Sequence, residues 1–363
     1  MNWISDDALE RLRADIDLPD LSGTDYSLVR KIAAGGMGTV YLAEDVKLDR
    51  RVALKVMKEV DGAGDLAARM LREARILARL EHPSIVPVHD VGTLPDDRVY
   101  YVMKFVEGET LDRRAQQATS TSDLLRIFQK ICEAVAFAHA HGVLHRDLKP
   151  ENIMVGPFGE VLVMDWGVAK TANDARDPSE LPARTVAVSG SAIDTVDGTV
   201  IGTPAYMAPE QARGESVDER ADVYALGAIL HAILTGNPPT GRPSASRSRH
   251  GHNGQGSEVS TMLMPALRAG AQSRLKSVSG QKVPRRIAAI CAKALAESPC
   301  DRYQTAEAVA ADVALYVDGL PVFAYRENIF ERGSRWLNQN RFVTILVIAY
   351  LVMRVLLLLF TGR

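Results

Sequence analysis

A lysine inside an apolar strand is the first feature of the chain that calls for chemistry. Val52-Ala53-Leu54-Lys55-Val56 is a β-rich run, and an ammonium group placed there needs an anion beside it. Downstream, Leu66, Met70, Glu73 and Leu77 follow an i, i+4, i+7, i+11 stripe, which sets Glu73 within the apolar face of a helix. A carboxylate there is costly unless paired, so Glu73 is the natural partner of Lys55; a solvated edge of the stripe is the alternative. Upstream, Ile32-Ala33-Ala34-Gly35-Gly36-Met37-Gly38-Thr39-Val40 lies between a strand beginning near Tyr26 and another through Tyr41-Leu42-Ala43. Glycines let a hairpin backbone come close enough to phosphates for its N–H groups to bond their oxygens, although an ordinary Gly-rich hairpin has the same composition.

Further along come Val143-Leu144-His145-Arg146-Asp147-Leu148-Lys149-Pro150-Glu151-Asn152-Ile153-Met154-Val155 and then Val163-Met164-Asp165-Trp166-Gly167. In order and spacing these strings resemble the eukaryotic-like serine/threonine protein kinases of bacteria, over roughly Tyr26 to Val317. The individual motifs vary in specificity; their succession is very specific.

The resemblance implies roles residue by residue. Lys55 would hold the α- and β-phosphates of ATP, Glu73 would position it, and the loop through Ile32, Gly35 and Gly38 would cover the phosphates. Val40 and Ala53 would sandwich the adenine, Met103 falls at the gatekeeper position, and Lys104 to Val106 would form the hinge. Asp147 matches the base that accepts the substrate hydroxyl proton and Lys149 the residue that steadies the transferred phosphoryl. Asn152 and Asp165 match the two magnesium ligands, whose hard oxygens suit Mg²⁺. Gly202-Thr203-Pro204-Ala205-Tyr206-Met207-Ala208-Pro209-Glu210 resembles the end of an activation segment, with Glu210 paired to Arg302. Asp222 would brace the catalytic loop that contains Arg146. Asp-Leu-Lys-Pro-Glu-Asn with Gly-Thr-Pro-Ala-Tyr is of the serine/threonine type, so Lys149 and Thr203 would face a protein substrate's hydroxyl. Arg146 beside Asp147 further suggests autophosphorylation among Thr185, Ser189, Ser191, Thr195 and Thr199, because a phosphate would supply about −2 charge.

Three residues depart from the pattern. Ala33 replaces the first glycine of the loop, Trp166 the usual Phe after the metal-binding Asp, and Lys104 a common acidic hinge residue. A nucleotide-binding pseudokinase scaffold tethered to the membrane is the alternative; it predicts loss of at least one of Lys55, Glu73, Asp147, Asn152 and Asp165, and all five are present. A small-molecule phosphotransferase on the same fold fits poorly with the Ala-Pro-Glu segment and Thr203.

These residues must be positioned by a chain of 363 residues that is 47% hydrophobic and carries a formal charge of −2, which leaves no global field for nucleic acid. Cys132, Cys291 and Cys300 form no CxxC pair and read as free thiols. Short β-rich runs around one helix fill 26–106, and helical spacing marks 122–142, 218–235 and 284–318. The expected architecture is α+β: a bilobal protein-kinase-like fold with a small β-rich lobe and hinge (26–106) and a larger helical lobe (107–318). The activation segment is placed at 165–210. The stretch 240–282 is a basic Ser- and Gly-rich insert with seven Lys or Arg against the single acid Glu258, suited to an anionic leaflet, an acidic substrate or neither. An N-terminal extension (1–25) has a short amphipathic run through Ala8, Leu9, Leu12 and Ile16 and no secretory signal. At the other end, 342–360 is a run of nineteen residues with one charge, Arg354, and reads as a transmembrane helix behind a juxtamembrane stretch (319–341). Arg326, Arg332, Arg335 and Arg341 precede it, so positive-inside bias places the catalytic lobes in the cytoplasm at a cell (inner) membrane, crossed once. Only Thr361, Gly362 and Arg363 follow, so no extracellular sensor is expected. Arg354 is also the ground for expecting a homodimer through this helix.

Overall fold

Strand β3 (Arg50–Met57) is buried from Val52 to Met57, and the period of two sends its side chains into two different clusters. Val52, Leu54 and Val56 face Tyr41, Ala43, Tyr100 and Val102, whereas Ala53 and Met57 face Met70, Ala74, Val86, Tyr101 and Met103. Lys55 shares the second face. The computed structural model describes residues 18–35, 38–57, 70–71, 74–118, 120–166, 204–239, 283–329, 331–333 and 341–361. In it β3 is the middle of a five-stranded antiparallel sheet of order β1-β2-β3-β5-β4, with β1 Tyr26–Ala34, β2 Gly38–Asp45, β4 Val88–Thr93 and β5 Val99–Lys104. Helical residues at 70–71 and 74–77 pack Met70 and Ala74 against the Lys55 face of this sheet.

Below the sheet the chain turns helical. A second small sheet, β6 (Glu109–Thr110), β7 (Ile153–Val155) and β8 (Val161–Val163), lies among helices α1 (Leu111–Gln117), α2 (Thr121–Ala140), α3 (Pro209–Ala212), α4 (Glu219–Thr235), α5 (Arg285–Ala294) and α6 (Ala306–Val317). Ser120, Asp218 and Thr305 cap α2, α4 and α6 by accepting first-turn N–H groups, and Gly236 ends α4 at φ +75°. Helix α4 is buried without a break from Ala221 to Leu230, because it sits between the other helices rather than on the surface. Gly227 permits that: a Cβ there would fall 2.8 Å from the Ala294 methyl of α5.

The helical spacing over 284–318 is carried by two helices, α5 and α6, with a 3₁₀ turn at Pro299–Asp301 between them. Pro299 lacks an N–H and disfavours a helical Ser298, so the periodic pattern runs through a real break.

Residues after α6 do not leave the helical lobe. Val322 is buried in the main core, and Glu327 and Glu331 reach Arg286 and Arg285 of α5. Helix α7 (Arg341–Thr361) follows, and its described side chains from Ile345 to Met353 are exposed. Among the described residues no helix is long and apolar enough to cross a membrane; in α7 the side chains of 341–344, 355 and 358–361 lie outside them. The extension 1–17, Glu73, Thr203, the candidate phosphosites from Thr185 to Thr199, and the insert 240–282 also fall outside the described residues.

Candidate active site

The cleft between the lobes is lined from above by the Lys55 face. Ala53 and Met103 are cross-strand partners and both are buried; Val40 is half-buried in the same cluster, and Met164 joins it from below. This is a flat apolar slot with Phe105 and Val106 at its rim, where β5 gives way to the connection between lobes. Ile32 and Gly35 are exposed at the mouth. Gly38 is pressed against β3: a Cβ there would overlap the Val56 carbonyl, so the close β2–β3 approach needs glycine.

Lys55 Nζ reaches Asp165 Oδ1 at 3.2 Å, across the two lobes, and lies 5.5 Å from the Tyr101 ring centre. The lysine side chain is 9% exposed, the aspartate 47%, so the anion it meets opens toward the cleft. Asp165 adopts φ +53°, in the left-handed region that few residues other than glycine enter.

Asp147, Lys149 and Asn152 converge from one loop. Lys149 Nζ donates to Asp147 Oδ2 at 2.8 Å, and Asn152 Nδ2 donates to the Asp147 carbonyl at 2.8 Å and to its Oδ2 at 3.4 Å. With its amide nitrogen so engaged, Asn152 keeps its Oδ1 as an oxygen donor. Asn152 O accepts from Met164 N–H at 2.8 Å, which ties the loop to the strand end carrying Asp165. A carboxylate and an amide oxygen on these linked segments are the hard donor set that Mg²⁺ prefers.

What holds the loop is a buried carboxylate in α4. Asp222 accepts from the backbone N–H of His145 and of Arg146, each at 2.8 Å, and from His139 Nε2 at 2.8 Å. Burial alone would raise its pKa, but the His139 contact and the N–H donors outweigh it and hold the carboxyl below the usual range. The grip forces Arg146 to φ +65°, and the Arg146 carbonyl accepts from Gln211 Nε2 at 2.6 Å. His145 is fully buried, donates from Nε2 to the Met164 carbonyl at 3.1 Å and accepts at Nδ1 from Asp147 N–H at 3.4 Å. Burial pushes its pKa down, partly opposed by Asp222. The Trp166 ring packs against it, tilted by 43° with ring centres 4.7 Å apart.

Of the residues expected from sequence, Lys55 with Asp165, the Asp147-Lys149-Asn152 group, Asp222 beneath Arg146, and Glu210 on Arg302 are brought together. The Lys55–Glu73 pairing rests on a residue outside the described ones. Sequence reasoning passed over His139, Gln211 and Met164 as contributors. Only Met164 carried a signal, its place beside Asp165; His139 and Gln211 act through contacts that no local pattern announces.

An antiparallel sheet lobe bearing a buried lysine, set over a helical lobe whose buried α4 aspartate grips an Asp-x-Lys loop, defines a protein kinase. A family model described as protein kinase domain matches residues 26–313, and the chain belongs to that family. Among its relatives are the serine/threonine-protein kinases PknD of Chlamydia trachomatis serovar L2b, 35% identical over 329 residues, and of Protochlamydia amoebophila, 34% identical over 309. The alignments cover 85% and 81% of this chain but 33% and 30% of those proteins, so the chain spans about a third of their length. The solved kinase domain of PknI from Mycobacterium tuberculosis superposes with a TM-score of 0.54 at 25% identity, over 80% of this chain and 95% of that one. The domain is thus of the serine/threonine protein kinase class.

Proposed function

We propose that the chain transfers the γ-phosphate of ATP to serine or threonine hydroxyls of proteins. The observation that supports this best is the Asp147 carboxylate, fixed through Oδ2 by Lys149 and Asn152, while Asp222 holds the backbone of the two residues before it, His145 and Arg146. The substrate hydroxyl delivers its proton to an Asp147 carboxylate oxygen. Lys149, 2.8 Å away, keeps a positive charge beside the transferring group, and Lys55 presents a second cation to the nucleotide phosphates. Adenine lies in the slot between Val40, Ala53 and Met164, and Asn152 and Asp165 would hold Mg²⁺, which neutralises phosphate charge when bound. By the family resemblance, Thr203 would join Lys149 in facing the acceptor hydroxyl.

The deciding experiment is transfer of labelled γ-phosphate from Mg-ATP by the full chain to itself and to a generic basic protein, beside Asp147→Asn. Label from wild type that falls by 10²-fold or more in the variant is the expected result. Wild-type protein that binds ATP and transfers nothing supports the pseudokinase scaffold instead.

Two further parts of the proposal concern regulation and place. Autophosphorylation falls on Thr185, Ser189, Ser191, Thr195 or Thr199, to be read by peptide mass spectrometry after incubation with ATP; an active enzyme with none of these modified overturns it. The chain is anchored through 342–360 with its catalytic lobes cytoplasmic. The support is sequence and shape: nineteen residues with one charge, in a 21-residue helix about 31 Å long whose described apolar side chains are exposed. Retention in membranes through alkaline carbonate is expected, and loss to the soluble fraction overturns it. Homodimerisation through α7 is read from whether Arg354→Leu changes helix association.

A further inference from the structure

Between α6 and α7 the chain is not a free tether. Asp312, wholly buried in α6, accepts the Tyr303 hydroxyl at 2.6 Å and the backbone N–H groups of Phe323 and Ala324 at 2.5 and 3.0 Å. Glu327 meets Arg286 of α5 at 3.4 Å with its side chain 8% exposed, and Glu331 accepts from the Tyr325 hydroxyl at 3.0 Å and pairs with Arg285. The segment 319–333 is therefore bolted along the helical lobe at three points, and Val322 is its plug in the core.

This docking leaves an unusual set of side chains outside. Phe323 is 81% exposed and Ile329 88%, although Val322 beside the first is buried, and Arg326 and Arg332 are exposed between and after them. A docked stretch that turns Glu327 into the lobe, engages Glu331 with Arg285 and the Tyr325 hydroxyl, and offers water two large apolar groups and two arginines is matched to a surface both apolar and negative. The run of apolar α7 residues begins at Phe342, nine residues after Gly333, with Arg335 and Arg341 in the interval. A ledge so close to that helix, with that composition, has an anionic bilayer as its complement.

We infer that segment 319–333 is a docked ledge that lays the helical lobe on anionic lipid headgroups, with Phe323 and Ile329 entering the interface and Arg326 and Arg332 on the phosphates. The inference rests on the membrane anchor of the preceding proposal. Such a ledge would fix the distance and tilt of the catalytic cleft relative to the membrane, which restricts the substrates it reaches.

The test uses the full chain in nanodiscs of phosphatidylcholine alone or of an equal mixture with phosphatidylglycerol. Cys132 and Cys291 are buried, so a Cys300→Ser background takes a single spin label at Phe323→Cys or, separately, Ile329→Cys. Labels in the interface become accessible to oxygen and shielded from a water-soluble nickel chelate in the anionic discs. Arg326→Glu with Arg332→Glu reduces the shielded fraction, by about fivefold in contact equilibrium per arginine removed. Labels that remain open to nickel in both lipids, in a chain that alkaline carbonate does not strip, overturn the ledge and leave the anchor standing. A chain that carbonate strips overturns both. Shielding that appears in lipid-free amphipol and rises with protein concentration assigns the surface to a second copy and also overturns the inference.

Discussion

Glu210 and Arg302, in α3 and just beyond the 3₁₀ turn that follows α5, meet through two parallel hydrogen bonds of 2.6 and 2.8 Å, and both side chains are out of solvent. The remaining guanidinium hydrogens go to the carbonyls of Ala296, Arg220 and Glu297, so every donor of Arg302 has a partner. The pair fastens the end of the activation segment to the helical lobe. Replacing one partner leaves the other charge buried and uncompensated. Arg302→Met is expected to lose about 3–5 kcal/mol of stability, seen as a lower urea midpoint at unchanged slope. An unchanged midpoint would show that the ion pair is not the fastening.

His145 links pH to the catalytic loop. Its burial lowers the folded-state pKa below the ordinary value of 6.5, so as pH falls through that value the unfolded chain binds a proton that the folded chain refuses. Stability is therefore full above about pH 7 and declines toward pH 5, with His82, His89 and His231 acting in the same direction. Protonation at Nδ1 would also remove the acceptor for Asp147 N–H. Phosphoryl transfer at pH 5.5 is expected to fall below its value at pH 7.5 by more than the loss of folded protein, measured by activity and circular dichroism on the same samples. Activity that tracks folded protein alone would remove His145 from the explanation.

The residues that carry chemistry were legible because the constraint on them is local. A lysine at an inward position of a buried strand and an Asp-x-Lys-x-x-Asn loop are visible as patterns, and Asp222, Glu210 and Arg302 followed from the family resemblance those patterns raised. What escaped was long-range. His139 lies on α2 and reads as one more residue near its end, yet its ring reaches Asp222, 83 positions on. The break at Pro299 was hidden by apolar spacing that continues on both sides. Segment 319–333 gave no periodic signal, because it is held by Asp312, Arg286 and the single apolar plug Val322 rather than by a repeating apolar face.

Trp166 stands where the resemblance leads one to expect phenylalanine. Its ring is fully buried beside His145 in the core cluster that includes Ile76 and Leu77, and its Nε1–H donates to the Val163 carbonyl at 3.3 Å. Val163 O also accepts from Val86 N–H, so that carbonyl keeps a partner if the indole goes. The loss in Trp166→Phe is then mainly volume, about 1–3 kcal/mol by comparison with other core truncations. Thermal unfolding should register it while kcat stays within a few-fold; a large change in kcat at normal stability would instead make the indole a brake or a prop of the active state.

Gly38→Ala tests the roof of the cleft. The added methyl has no room against the Val56 carbonyl, which is backbone in the central strand and cannot swing aside. Separation of β2 from β3 at this point displaces Val40, one wall of the adenine slot, and Lys55, its cross-strand partner. The expected result is weaker ATP binding by roughly tenfold or more, together with a stability loss of about 1–3 kcal/mol from overpacking. Isothermal titration with a non-hydrolysable ATP analogue measures the first, and unchanged affinity would place the phosphate loop's function in flexibility rather than in close approach.

Asp312 sets where the folded domain ends. Its buried carboxylate holds the Tyr303 hydroxyl and two backbone N–H groups of the segment beyond α6. A chain stopped at Asp318 would retain α6 entire and still leave that carboxylate facing only Tyr303, with the core position of Val322 open. Hydrogen bonds to a buried charge contribute about 1.5–3 kcal/mol each, so Asp312→Ala in the full chain is expected to lose several kcal/mol. Hydrogen exchange localises the loss: amides of Phe323 and Ala324 should exchange far faster in the variant, while those of β3 change only as much as global stability does. Protection at 323 and 324 that survives Asp312→Ala would mean that Val322 and the Arg286–Glu327 pair dock the segment unaided.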